Sequence, residues 1–228
     1  MSALAADVLA RVRAITMDAG GTFWGNYVTQ TWLNEGRKLY VTMKPDDGAA
    51  VTEVAVQAGA MQTIPDNALA FIKAIRNVGG PAVRVADISD IESYAPTWMD
   101  ATGQWIKHFM FDDKLLRNFW IYPNPTTKNP RLQIACSFEP IPCDIYLPTN
   151  QVNSRAAHTT VDVPNDAALV DYILARQYQQ QGEGEAQQRA ANHMTVFYKL
   201  LGLNKEAEMY VNPNRPMVPN VASSAGDA

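Results

Sequence analysis

Between Asn26 and Asp46 the apolar residues Val28, Trp32, Leu39, Tyr40 and Met43 recur at a spacing that lays one stripe along an α-helix. Asn26 suits the cap that accepts a bond from the first amides, and Lys44-Pro45 stops the helix. A striped helix needs a cover. One candidate runs from Ser2 to Met17, with Leu4, Val8, Val12 and Ile15 on one face, and breaks at Met17-Asp18-Ala19-Gly20-Gly21-Thr22, a turn that would fold it back on the second helix. The others lie beyond residue 160. Pro164 suits the first position of a helix continued by Ala167 to Gln181, with Leu169, Tyr172, Ile173 and Arg176 on neighbouring turns. Gly182-Glu183-Gly184 interrupts, and Ala186, Ala190, Met194, Phe197 and Leu201 then mark the clearest stripe in the chain, closed by Gly202. Its small leading residues would let two helices approach closely.

Between these helices the period shortens to two. Val51, Glu53 and Ala55 alternate with Thr52, Val54 and Val56, and Ala58-Gly59-Ala60 leads to Met61-Gln62-Thr63-Ile64-Pro65, which reads as a short hairpin. Ala68 to Arg76 fits a strand through Leu69, Phe71 and Ile75 or a helix through Leu69, Ile72 and Ile75; the turn at Asn77 to Pro81 and the clear strand Ala82 to Ala86 after it favour the strand. Asp87 or Ser89 can cap a helical turn reaching Tyr94. Trp105 to Phe111 and Arg117 to Tyr122, joined by Asp112-Asp113-Lys114, predict an aromatic hairpin. Pro123 to Pro130 reads as a loop, and Arg131 to Phe138 as a final strand. The Pro, Asn, Thr and Ser content from Pro140 to Val163 suggests a surface excursion, and residues 205–228, with Pro213, Pro216 and Pro219, an extended tail.

The fold class that follows is α+β: a helical bundle built from N-terminal and C-terminal helices (1–46 and 162–204), with an inserted antiparallel β subdomain (47–161) and an extended C-terminal tail (205–228). At 228 residues, 47% hydrophobic and 18% charged, the chain buries a proper core. No apolar run approaches the roughly 20 residues that cross a bilayer, and the N-terminus lacks a signal-peptide core, so the sequence predicts synthesis in a cytosol and no membrane partner. Its two cysteines, Cys136 and Cys143, are too few for a disulfide framework; the sequence leaves one bridge between them open and favours free buried thiols. The net charge of −4 argues against gripping DNA through its phosphates, though not against letting it pass.

The candidate chemistry is sparse. Ala14 to Thr22 resembles the nucleophile strand of haloacid-dehalogenase-like phosphatases, which would make Asp18 a carboxylate nucleophile beside a metal. Helical residues precede it, Gly20 stands where a second acid is needed, and no β-α succession follows, so a helix-breaking turn is the favoured reading. His108, His158 and His193 share no metal-ligand spacing with the cysteines. Asp162 and Asp166, and then Glu183 and Glu185, suit the positive ends of the two late helices. Trp98, Trp105, Phe109, Phe111, Phe119, Trp120 and Tyr122 concentrate in the middle hairpins, where Asp112 and Asp113 offset Lys107, Lys114 and Arg117; this favours a β core or a protein interface over a nucleic-acid platform. No catalytic, cofactor or metal set is visible.

Several pieces also follow one another in a telling order: the Asp18-x-Gly20-Gly21 turn with Trp24, Trp32-Leu33-Asn34-Glu35 leading to Lys44-Pro45-Asp46, Gly59 to Pro65, and Ile75 to Gly79. Phe119 to Pro123, Val163-Pro164, Ala168 to Tyr178, and Gln188 to Gly202 complete the series. In this order the chain resembles the head-to-tail adaptors of short-tailed bacteriophages, the gatekeeper or tail tubular protein A group of podoviruses. It departs from them in its longer Pro140 to Thr160 excursion and its Pro-rich tail.

The resemblance implies a structural virion protein at the head-tail junction, not an enzyme. Such adaptors form a dodecameric ring below the portal protein, connect it to the tail nozzle protein and help retain packaged double-stranded DNA that passes without sequence-specific binding. Under that resemblance, Tyr210, Val211, Pro213, Arg215, Pro216 and Met217 are the expected portal contact, and Trp105, Phe109, Phe119, Trp120 and Tyr122 the nozzle or neighbour contact. The alternatives are a phosphatase using Asp18 and another virion connector.

Overall fold

A computed structural model describes residues 3–112, 114–149, 151–153, 161, 163–182 and 184–203. The expected tail, with Tyr210 to Met217, lies outside the described residues, as do His158, Asp162 and Glu183. Helix α1 (Ala5–Thr16) buries Ala5, Val8, Leu9 and Val12. Ile15, expected on that face, is exposed, because the chain turns at Met17 (φ 56°) and the last helical turn overhangs the core. Helix α2 (Asn26–Met43) starts from Gly25, so Asn26 is its first residue rather than its cap. The Asn26 Oδ1 instead accepts a bond from Arg13 Nη2 at 2.5 Å. Pro45 ends α2 as its missing N–H and its effect on the preceding residue require, and opens a single 3-10 turn.

The strands are β1 (Ala49–Ala55), β2 (Met61–Thr63), β3 (Ala68–Asn77) and β4 (Arg84–Val85), followed by helix α3 (Ile88–Tyr94). Then come β5 (Thr102–Gly103), β6 (His108–Phe111), β7 (Asn118–Tyr122), β8 (Asn124–Pro125) and β9 (Arg131–Phe138). Asp87 is the residue that caps α3, accepting the Ser89 N–H at 2.8 Å. The sheets run β1-β9-β3, β2-β7-β6-β4 and β5-β8.

The aromatic hairpin forms as expected, from His108 opposite Tyr122 to Phe111 opposite Phe119. The expected β1-β2 hairpin does not form. Strand β1 pairs with β9 along its whole length while β2 pairs with β7, because the Gln62 side chain bonds the backbone of Gln57 and Gly59 and turns the chain from one sheet into the other. The insertion is also not purely antiparallel. Strand β4 runs parallel to β6, since α3 and the loops around it carry the chain far enough to return in the same direction, and β5 runs parallel to β8 across the intervening β6-β7 hairpin. The sheet core gathers Phe71, Phe109, Phe119, Ile121, Leu132, Ile134 and Cys136, with the Phe71 and Phe119 rings stacked 4.2 Å apart.

Helix α4 (Asp166–Gln181) has Asn165 at its N-cap position, its side chain turned to the Leu200 carbonyl, which places Pro164 just before the helix rather than at its first turn. Asp166 faces the positive end of α4 and pairs with Arg11 of α1. Gly182 (φ 72°) reverses the chain into helix α5 (Gly184–Leu200), whose Ala186, Ala190 and Phe197 are buried, with Phe197 set 5.4 Å from the Tyr172 ring. Helices α1, α2, α4 and α5 share one apolar core.

The buried face of α2 differs from its apolar stripe. Val28 is exposed and Leu39 and Met43 only half-buried, whereas Gln30, Leu33, Gly36, Arg37 and Tyr40 are buried. Gln30, Asn34 and Arg37 lie on successive turns and bond the backbone that follows the sheets. The Gln30 Oε1 accepts from the Ile145 and Tyr146 amides at 2.6 and 2.7 Å, and its Nε2 donates to the Tyr146 carbonyl. Asn34 accepts the Cys143 N–H at 2.8 Å and donates to the Cys143 carbonyl at 3.0 Å. Arg37 donates to the carbonyls of Val161 and Ile141 and to the Cys143 thiol.

Held in this way, Cys143, Ile145, Tyr146, Val161 and Val163 enter the helical core, which corrects the expectation of a wholly surface excursion. Neither cysteine is in a disulfide and both are buried, Cys143 in this core and Cys136 in the sheet core.

Asn34→Ala removes the side chain that bonds the Cys143 N–H and carbonyl and should cost about 2 kcal/mol in urea unfolding. Gly36 permits the α2-α4 approach, because a Cβ there would stand 2.7 Å from Tyr172 Cδ1. Gly36→Ala should therefore destabilise by about 1–2 kcal/mol in the same assay, despite alanine's better helix propensity.

Candidate interaction surfaces

Asp18 follows a helix, not a parallel strand, and its carboxylate is occupied by its own loop. It accepts the N–H groups of Thr22 at 2.8 Å, Phe23 at 3.1 Å and Trp24 at 2.9 Å. The Trp24 amide above all, helped by those of Thr22 and Phe23 and by the charge of Arg13, holds the Asp18 carboxyl below its ordinary pKa. This is the chemistry of a loop staple. It leaves Asp18 poorly placed to act as the nucleophile of a phosphatase.

The stapled loop displays apolar side chains outward. Phe23 is 76% exposed and Met17 93%, while Trp24 packs edge-on between Phe23 and Trp32, with ring centroids 5.8 and 5.6 Å away. Two adjoining clefts of about 640 and 400 Å³ open between this loop and the α4-α5 turn, sharing Phe23, Trp24 and Gln181 as walls. A rigid loop that exposes an aromatic ring beside a cleft suits a protein contact, because little side-chain order remains to be imposed on binding.

Of the five aromatics expected at an interface, Phe109 and Phe119 are buried in the sheet core, while Trp105, Trp120 and Tyr122 are half-buried. Trp105 lies apart from the other two, closing against Gly80 and lining a pocket of about 250 Å³ with Asn77, Lys128 and Arg131. Nothing in the sequence patterns singled out Met17 and Phe23; the available signal was two large apolar residues bracketing a glycine turn.

The histidines serve separate surroundings. His193 Nδ1 lies 2.8 Å from Asp171 and its ring stacks on Tyr178, whereas burial first, then the cations Arg84 and Lys107, lowers the pKa of His108. Among the described residues, no group of three or more His, Cys, Asp or Glu side chains is arranged to hold a metal ion, and no helix is long and apolar enough to cross a membrane.

The family model of the SU10 adaptor protein matches residues 3–217. The chain belongs to the SU10 adaptor protein family. That membership makes it a phage virion adaptor, a structural component that joins other head and tail proteins. No curated protein matches the chain significantly. The adaptor match spans the helices, the sheets and the residues between them alike, so the stapled loop and the aromatic pocket both lie within the matched residues.

A depressed carboxyl pKa contributes stability at every pH above the ordinary 3.8 and loses it only as pH falls through the lower folded value. The amide proton shifts of Thr22, Phe23 and Trp24, followed by NMR, should thus hold steady down to pH 3.8 and move only below it. In Asp18→Asn they should be displaced already at neutral pH.

Proposed function

We propose that the adaptor assembles as a closed, dodecameric ring between the portal protein and the tail nozzle protein, around a channel through which packaged double-stranded DNA passes and is retained. The observation that carries this reading is the adaptor family match over residues 3–217. The exposed loop at Met17 and Phe23 supports it, because apolar side chains held rigidly in the open are covered at low entropic cost when identical copies meet. Head-to-tail contacts whose rotation closes give rings. The net charge of −4 suits a channel wall over which a duplex slides rather than sticks.

Within this reading the helical unit (1–46 and 162–204) forms the body of the ring and the β insertion (47–161) reaches its neighbours. Tyr210, Val211, Pro213, Arg215, Pro216 and Met217 dock on the portal, where an extended Pro-rich segment loses little entropy on binding. Trp105, Trp120 and Tyr122 meet the nozzle or an adjoining subunit, over an interior braced by Phe109 and Phe119. The virion head-tail junction is the site of action, after synthesis in the host cytoplasm.

The mass of the purified protein in solution, alone and mixed with portal rings, tests the assembly. The expected result is a dodecamer in at least one of the two states, and a persistent monomer in both would overturn it. Truncation after Leu203 should abolish portal attachment while leaving the fold, followed by circular dichroism, unchanged.

A further inference from the structure

One stretch of the β insertion, between Arg84 and Lys107, is charged with a single sign. From Val85 to Ile106 the chain contains no Lys or Arg, yet it carries Asp87, Asp90, Glu92 and Asp100. All four carboxylates are exposed, and beside them Tyr94 is 59% and Met99 54% exposed. The other end of the same substructure is cationic. Lys128 and Arg131 line the 250 Å³ pocket walled by Trp105 and Asn77, and Arg76 is exposed next to Asn77.

Asn77 is buried and makes this end rigid: its side chain donates to the Pro81 and Ile106 carbonyls and accepts the Ile106 N–H. The two ends are joined by the extended run from Pro81 to Asp87, about 20 Å at strand rise. Among the described residues, Asp87, Asp90, Glu92, Asp100, Arg76 and Lys128 form no ion pair, and Arg131 has only the exposed Glu53, 3.6 Å away.

We infer that these ends are the two halves of one contact between copies of this chain: the acidic α3 end of one subunit, led by Tyr94 and Met99, seats on the cationic Trp105 pocket of the next. The occupant is a second copy because the chain carries both members of a complementary pair on separate elements, as a head-to-tail interface requires. Opposite charges rimming an apolar centre fix register and suppress wrong pairings, whereas two acidic ends or two cationic ends repel. The contact deepens the ring reading and rests on it, and it assigns Trp105 to the neighbouring subunit rather than to the nozzle.

The test uses the full chain, with assembly measured by native mass spectrometry at low salt, in the presence of portal rings if these are needed for the wild type to assemble. Asp90→Lys with Glu92→Lys, and separately Arg76→Glu with Lys128→Glu, should each weaken assembly by about tenfold or more through like-charge contact. The chain carrying all four substitutions should assemble again. None of the four side chains makes a side-chain hydrogen bond to another element, and circular dichroism checks that each variant folds.

Assembly that is insensitive to either charge reversal, or a fourfold variant that stays dispersed although folded, would overturn this contact while leaving the ring intact as a proposal. A wild type that never assembles would remove both. Rescue between reversed partners identifies a second copy as the occupant; charge reversals that spare the ring but abolish nozzle attachment would instead give this surface to the nozzle and also overturn the inference.

Discussion

The structure turns on one helix face that is polar where a core face is ordinarily apolar. Gln30, Asn34 and Arg37 of α2 bind backbone groups of Ile141, Cys143, Ile145 and Tyr146 and the Val161 carbonyl, so a segment outside the sheets has these groups satisfied inside the protein. Removing those side chains would leave Cys143, Ile145 and Tyr146 with the choice between apolar burial and backbone hydration. The ladder lets them have the first without losing the second. It is also what connects the sheets to the helices, because the segment it grips leaves β9 and leads toward α4.

Strand β9 plays the corresponding part among the strands. It lies between β1 and β3, with Leu132, Ile134 and Cys136 buried. The two cores are thus joined through successive stretches of chain: β9 centres one, and Cys143, Ile145, Tyr146, Val161 and Val163 help complete the other. Against this background, the exposed Phe23 and the exposed carboxylates of α3 stand out as surfaces left open among the described residues.

Legibility from sequence tracked how local the determining physics is. The stripe Ala186, Ala190, Phe197 and Leu201 was readable because neighbouring turns of one helix carry it, and the β6-β7 hairpin because its turn and both strands are contiguous. The partners of β1 and β2 were not, since each pairs across a long stretch of chain and the Gln62 amide that separates them looks like any surface residue. Gln30 and Arg37 resemble solvent-facing positions until the backbone they bind is known. Their spacing with Asn34 at successive turns was the available signal. The Pro-rich composition from Pro140 onward concealed Cys143, Ile145 and Tyr146 for the same reason: their burial depends on donors and acceptors supplied from more than a hundred residues earlier. At the candidate surfaces, the aromatic cluster was visible, but which rings are interior and which are left half-open followed only from the sheet packing.

The placement of the two thiols gives the molecule a built-in pair of reporters. Cys136 sits in the sheet core, where burial pushes its pKa up to about 11, and Cys143 sits under the Arg37 guanidinium in the helical core. A reagent that modifies sulfur reaches each one only when its own half of the protein breathes. The order in which the two react during attachment to a particle would therefore reveal which half loosens first.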